Sequence, residues 1–335
     1  MIHAPILPDY LDTFLAPLRP WLDAADVTDL FVNRAGEIWV ERNGDAAARH
    51  DVAILTDDWL WQLAQQIARV AHQGISRAAP LLSAALPCGT RVQVVAPPAT
   101  RGGVAMAFRR QVRADASLTD LARAALFDGA VMGMEGTRDA TLAQLYAAGD
   151  HVGFLAAAVA RRKTILISGG TASGKTTLVN ALLREVPAHE RLVAIEDSAE
   201  LILGHANALG LIAARGRLGE ADVDADDLLQ ASLRLRPDRI LLGEIRGPEA
   251  LTFLRAVNTG HPGSMTTIHA DDPERALDQL AMLALHSGAR IDGPDLRRYI
   301  ARLVDVVVQL ERTPHGRRVT AIRWHGAPEA GPKAA

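Results

Sequence analysis

Residues 164–183 read TILISGGTASGKTTLVNALL, and this stretch decides the fold of the second half of the chain. TILIS is short, apolar and β-branched, the pattern of a buried strand. TTLVNALLREV carries apolar residues at helical spacing. Between them, Gly169, Gly174, Lys175 and Thr176 fit the spacing G-x-x-x-x-G-K-[ST]. Glycines let the backbone turn its N–H groups inward around an anion, and the helix that follows aims its positive end at the same point. Gly169, Gly170, Thr171, Ala172, Ser173, Gly174, Lys175, Thr176 and Thr177 are therefore expected to cradle the phosphates of ATP. Lys175 is expected on the β- and γ-phosphates, and Thr176 on Mg²⁺.

Three further apolar runs end in chemistry-bearing residues. RLVAIEDSAEL delivers Glu196 and Asp197, with Glu200 just beyond; RPDRILLGEIR delivers Glu244; GSMTTIHA delivers His269. Ligands of open α/β sheets sit at the carboxyl ends of the strands, so these groups are expected beside the phosphate loop. Phosphoryl transfer to water needs a carboxylate on the metal shell and another to orient the water. The expected catalytic set is Glu196, Glu244 and His269, with Thr176 and Glu244 on the metal. Plainer roles are open to each: Glu196 pairing with Arg191, Glu244 capping the helix opened at Gly247-Pro248-Glu249, His269 as a satisfied polar group. Asp271 and Asp272 are expected to cap the helix opened by Pro273.

The first hundred residues follow a different pattern. LDTFLAPLRPWL reads as a broken helix, VTDLFVNRAGEIWVER as two strands, and an amphipathic helix begins near Thr56. RVQVVAPP and GGVAMAFRR read as another strand pair. The expected organisation is an α+β domain over 1–110, a connecting segment over 111–149, and an α/β domain with a mostly parallel sheet over 150–325. In the connection, Ser117 and Asp120 are spaced like a capping box. A disordered tail is expected over 326–335.

Composition narrows the function classes. The chain has 335 residues, 49% hydrophobic and 22% charged, with net charge −3. That balance argues against a nucleic-acid or anionic-membrane surface, so direct nucleic-acid binding is not expected. Cys88 is the only cysteine, so no disulfide framework or C-x-x-C zinc site forms within one chain. MIHAPILPDYLDTF has no signal-peptide pattern, and no apolar run approaches a membrane span. The expected location is cytoplasmic, with any membrane attachment supplied by a partner.

GGTASGKTT, IEDSAEL, RILLGEIR and TGHPGSMTTIHA in this order resemble the Walker A loop, acidic box, Walker B strand and histidine box of the secretion-ATPase superfamily. WLDAADVTDLFVNRAGEIWVER and PLLSAALPCGTRVQVVAPPA resemble the first domain of its VirB-type ATPases of type IV secretion, the conjugal-transfer members above all. The resemblance implies a RecA-like P-loop ATPase domain behind a smaller N-terminal domain, assembled as a homo-hexameric ring. It implies a motor that energises conjugative transfer or type IV secretion and the associated pilus, working with inner-membrane machinery at the cytoplasmic face. It assigns Lys175 and Thr176 to phosphate and Mg²⁺, Glu244 to Walker B, Glu196 to the acidic box and His269 to the histidine box. Ala172 departs from the family's usual glycine, and its Cβ is tolerated if φ is negative.

An arginine from outside the motor core is expected to neutralise the γ-phosphate. Arg109 and Arg110 are expected on the nucleotide side, and Arg215 and Arg217 as the reach across a subunit interface, with Arg91 a further choice. The competing readings are the motor of another pilus system, a translocase gripping DNA directly, and a small-molecule kinase.

Overall fold

A computed structural model describes residues 9–43, 45–110, 139–214, 220–289, 291–314 and 316–327. Ser117, Asp120, Arg215 and Arg217, and positions 328–335 of the tail, lie outside the described residues.

The N-terminal domain is a six-stranded sheet whose paired neighbours all run antiparallel: β1 (Val27–Val32), β2 (Glu37–Arg42), β3 (Ala48–Asp51), β4 (Leu81–Ala85), β5 (Arg91–Val95) and β6 (Ala105–Arg109), in the order β3-β2-β1-β6-β5-β4. Successive strand residues point to opposite faces. Leu30, Val32, Ile38, Val40, Val94 and Met106 turn to one face and pack under α1 (Asp9–Leu15) and α3 (Asp57–Val70). Thr56 caps α3 by accepting from Trp59 N–H at 3.2 Å, which fixes its start where the sequence suggests. A short helix α2 (Arg19–Leu22) completes the broken helix at the amino end. Phe31, Trp39, Val95, Ala105 and Ala107 turn to the other face and pack on the second domain. Coverage of both faces explains why β1, β2 and β6 are buried almost throughout.

The second domain holds seven strands: β7 (Ile165–Gly169), β8 (Leu192–Glu196), β9 (Ala208–Ile212), β10 (Arg239–Leu242), β11 (Met265–Ile268), β12 (Val306–Thr313) and β13 (Gly316–Trp324). Their order is β13-β12-β7-β11-β10-β8-β9, all parallel except the β12–β13 hairpin. Helices α4 (Ala140–Ala148), α5 (His151–Ala160) and α6 (Lys175–Leu183) cover one face; α7 (Ala225–Ser232), α8 (Glu249–Asn258), α9 (Pro273–His286) and α10 (Gly293–Leu303) cover the other. Strands covered on both faces read as continuous apolar runs, which is how LVAIE and RILL appear. No described helix is long and apolar enough to cross a membrane.

The strands expected from the sequence form as expected. Five more do not appear in that reading: β3, β4, β9, β12 and the edge strand β13. β3, β4, β9 and β13 are short, exposed or at an edge, where burial leaves little pattern, whereas β12 is a buried apolar run inside the sheet that the reading passes over. α4 lies in the segment read as connection, yet it buries Leu142 in the core beneath α5 and α6.

Candidate nucleotide site

β7 delivers the phosphate loop to the carboxyl edge of the sheet. A Cβ on Gly169 would stand 2.5 Å from Leu310 O and 2.6 Å from Ser173 Oγ, so only glycine fits as the chain leaves the strand. Gly174 opens α6 at φ 100 and offers no side-chain cap. The first N–H groups of α6 therefore point into the loop without a capping partner, the arrangement that suits an anion. The buried Ser173 Oγ likewise has no hydrogen-bond partner.

Ala172 departs from expectation. Its φ is 61, in the left-handed region, so the condition under which its Cβ is tolerated is not met. An L-residue there costs about 1–2 kcal/mol relative to the ordinary helical region.

The lysine is folded back into its own loop. Lys175 Nζ donates to Gly169 O at 2.8 Å and Gly170 O at 3.2 Å, and lies 3.4 Å from His269 Nδ1. Burial pulls its pKa below the usual lysine value, with the Glu244 carboxylate opposing. His269 follows β11 directly, and its Nε2 is 2.6 Å from Glu244 Oε1. Glu244 stands two residues beyond β10 and also meets Arg246, which bridges to Asp197 Oδ2 at 3.2 Å. A continuous polar chain thus runs Lys175–His269–Glu244–Arg246–Asp197, drawn from the ends of β7, β11, β10 and β8.

Glu244 is not the cap of α8. Glu249 Oε1 accepts from the N–H groups of Arg246 and Gly247, at 2.6 and 2.8 Å, and closes that turn itself. Asp272 caps α9 as expected, accepting from Glu274 and Arg275 N–H, both at 2.9 Å.

Glu196, the last residue of β8, is buried, and Arg191 is not its partner. Its Oε1 accepts from Glu200 N–H at 2.9 Å and Leu201 N–H at 2.8 Å, and its Oε2 meets Arg101 of the N-terminal domain. Arg191 instead donates to Asn33 Oδ1, Asn207 Oδ1 and Leu235 O. The acidic-box carboxylate that reaches the start of α6 is Glu200, whose Oε2 accepts from Thr176 Oγ1 at 3.2 Å. Asn180 fastens the same loop, donating to Glu200 O and accepting from Ile202 N–H.

Lys175, Thr176, Glu196, Asp197, Glu200, Glu244, Arg246 and His269 line a cleft of ≈ 350 Å³ together with Thr171, Thr177 and Arg317, a size that suits a small ligand. Arg317, on β13, packs over Gly174: a Cβ there would lie 3.2 Å from Arg317 Cδ. Arg109 and Arg110 do not line the cleft. Arg109 is exposed at the end of β6, directly across from the equally exposed Arg91, and Arg110 donates to Ala24 O. The sequence reading assigned no role to Arg101, Arg246 or Arg317, and none to Glu200 beyond its position. Glu200 and Arg246 carry a signal, since both stand in the quoted acidic and Walker B boxes; Arg101 and Arg317 carry none.

A phosphate loop at the centre of a parallel sheet, faced by carboxylates from the neighbouring strand ends, defines a P-loop nucleoside triphosphatase. A family model described as "Type II/IV secretion system protein" matches residues 138–327. The type IV secretion system protein PtlH homolog of Bordetella bronchiseptica is 40% identical over 310 residues, covering 90% of each chain. The type IV secretion system protein VirB11 of Brucella suis is 38% identical, over 93% of this chain and 89% of that protein. The crystal structure of the Brucella suis VirB11 ATPase in complex with sulphate matches with a TM-score of 0.88 at 36% identity, covering 94% of each chain. The chain belongs to the type II/IV secretion system protein family and is an ATPase of the VirB11 and PtlH kind, with a RecA-like domain behind a smaller N-terminal one.

Proposed function

We propose that this chain hydrolyses ATP as a homo-hexameric ring, held by inner-membrane partners at the cytoplasmic face, to energise a type IV secretion machine and its pilus, conjugative transfer included. The observation that carries this reading is the polar chain from Lys175 to Asp197, which joins the phosphate loop to three other strand ends. Lys175 is held by two loop carbonyls that bound phosphates displace as they take its charge.

Mg²⁺ would supply charge neutralisation for the phosphates when bound. Thr176, Glu200 and Glu244 are the oxygen donors that suit it, with Thr176 and Glu200 already in contact. Glu244 orients the attacking water, and His269, between Lys175 and Glu244, relays the loss of the γ-phosphate to the rest of the sheet. Glu196 serves the same site from behind, through the loop it organises.

Arg91 and Arg109 face each other as like charges across adjacent strands, an arrangement that costs energy unless an anion joins them. Together with Arg110, Arg215 and Arg217 they are the arginines offered to a neighbouring subunit's nucleotide. A head-to-tail ring brings one subunit's site against the next.

Steady-state phosphate release tests the loop assignment. Lys175→Ala is expected to lose essentially all turnover, and turnover near wild type would overturn the reading. Mixing tests the ring: Lys175→Ala subunits combined with inactive Arg109→Ala subunits regain part of the turnover at hybrid interfaces. Full activity in a strict monomer would overturn the ring.

A further inference from the structure

We infer that Arg101 is a positioning residue of the nucleotide site, carried by the N-terminal domain, which sets the acidic box through Glu196. The inference deepens the proposed ATPase mechanism and rests on it. The segment between β5 and β6 reaches out of its own domain and docks on the edge of the parallel sheet. Thr100 bridges Leu211, Arg101 N–H donates to Gly210 O at 2.9 Å, and Ile212 N–H donates to Ala99 O at 3.0 Å. The Arg101 side chain then crosses β9 at Gly210, where a Cβ would collide with its Cγ, Cδ and Nε. Gly210 is the gap that admits it.

Beyond that gap the guanidinium ends on the acidic box. One nitrogen donates to Leu201 O at 3.0 Å, and the other meets Glu196 Oε2. The Glu196 side chain is 4% exposed and that of Arg101 23%, so the pair is largely withdrawn from water. Glu196 Oε1 holds the N–H groups of Glu200 and Leu201, so the loop 197–201 is wound around this carboxylate. Glu200 in turn meets Thr176 at the start of the nucleotide helix. A shift of the N-terminal domain is therefore passed through Arg101, Glu196 and the loop to Glu200. Among the described residues, the other ion pairs across the seam, Arg77 with Glu220 and Arg236 with Asp29 and Glu41, do not line the cleft. Without Arg101, the Glu196 carboxylate is left as an uncompensated buried charge and the loop around it relaxes.

The test compares four variants by kcat, KM for ATP, the Mg²⁺ concentration for half-maximal turnover, and binding of a fluorescent ATP analogue. Arg101→Ala is expected to lower kcat by about 10–100-fold, raise the Mg²⁺ requirement, and leave analogue binding within about threefold. Gly210→Ala, which expels the arginine with its charge intact, is expected to shift the same quantities in the same direction. Arg101→Lys restores part of the loss, and Arg77→Ala, at a seam contact outside the cleft lining, behaves as wild type. Wild-type kcat and Mg²⁺ dependence in Arg101→Ala would overturn the inference, as would an equal loss in Arg77→Ala, which would mark a general effect of loosening the seam. Those results, with Lys175→Ala inactive, leave the ATPase mechanism standing; turnover in Lys175→Ala would instead overturn that mechanism itself.

Discussion

The interior of the parallel sheet hides apolar strands, whereas the seam between the two domains hides charge. β7, β8, β10 and β11 are buried throughout, and α4–α10 seal both faces. Of the ion pairs described at the base of this sheet, one is buried on both sides: Arg239, fully buried, holds Glu190 through two nitrogens at 2.6 and 2.9 Å and donates to Val159 O at 2.8 Å. In the seam, Arg191 is buried over the Phe31 ring at 4.1 Å and joins Asn33 of one domain to Asn207 of the other. Burial pushes the Arg191 pKa down to about 9, still charged at neutral pH. Arg236 reaches Asp29 and Glu41 across the same seam. The difference teaches a division of labour. Apolar burial fixes a rigid frame for the loop and strand ends, while buried polar contacts add little net stability and hold only in one geometry. A seam of the second kind fits domains that must register each other's position.

The sharpest way to break this comparison is Arg239→Ala. It leaves Glu190 as a buried, unpaired charge and is expected to cost about 3–5 kcal/mol, read as a lowered urea midpoint at unchanged m-value. Arg191→Met keeps an apolar stem over Phe31 and removes the hydrogen bonds to both asparagines. Its expected cost is smaller, about 1–3 kcal/mol, with faster amide exchange around Asn33 and Asn207. A larger cost for Arg191→Met than for Arg239→Ala would place the stability in the seam and reverse the comparison. The smallest effect belongs to the loop. Ala172→Gly relieves the left-handed alanine and is expected to gain about 1 kcal/mol in analogue binding or thermal stability. A loss in both would show that the alanine is accommodated without strain.

Much of the fold was legible where its signals are local. The phosphate loop, the four strands beside it and the caps at Thr56 and Asp272 each follow from a few neighbouring residues. The seam was not legible. Arg101 meets Glu196 and Leu201 only after the chain has folded, and the glycine that admits it, Gly210, sits in a strand the sequence reading did not find. Arg317 reaches Gly174 from the unanticipated edge strand for the same reason. Spacing brought Glu196 to the right edge of the sheet, but it could not tell that its carboxylate turns inward to the backbone while Glu200 faces Thr176. Nor does a motif carry the dihedral of one of its members, so the positive φ of Ala172 was out of reach.

Glu244 joins Arg246 and Asp197 to His269 and Lys175, so its charge links three strand ends to the phosphate loop. The most direct measurement is ATP-analogue binding beside single-turnover phosphate release in Glu244→Gln. Binding is expected to stay within about threefold of wild type while release slows by about 10²–10³-fold, because the amide keeps the shape and loses the charge that orients water. Release at the wild-type rate, or a loss of binding that by itself explains the loss of release, would contradict the role given to this strand end.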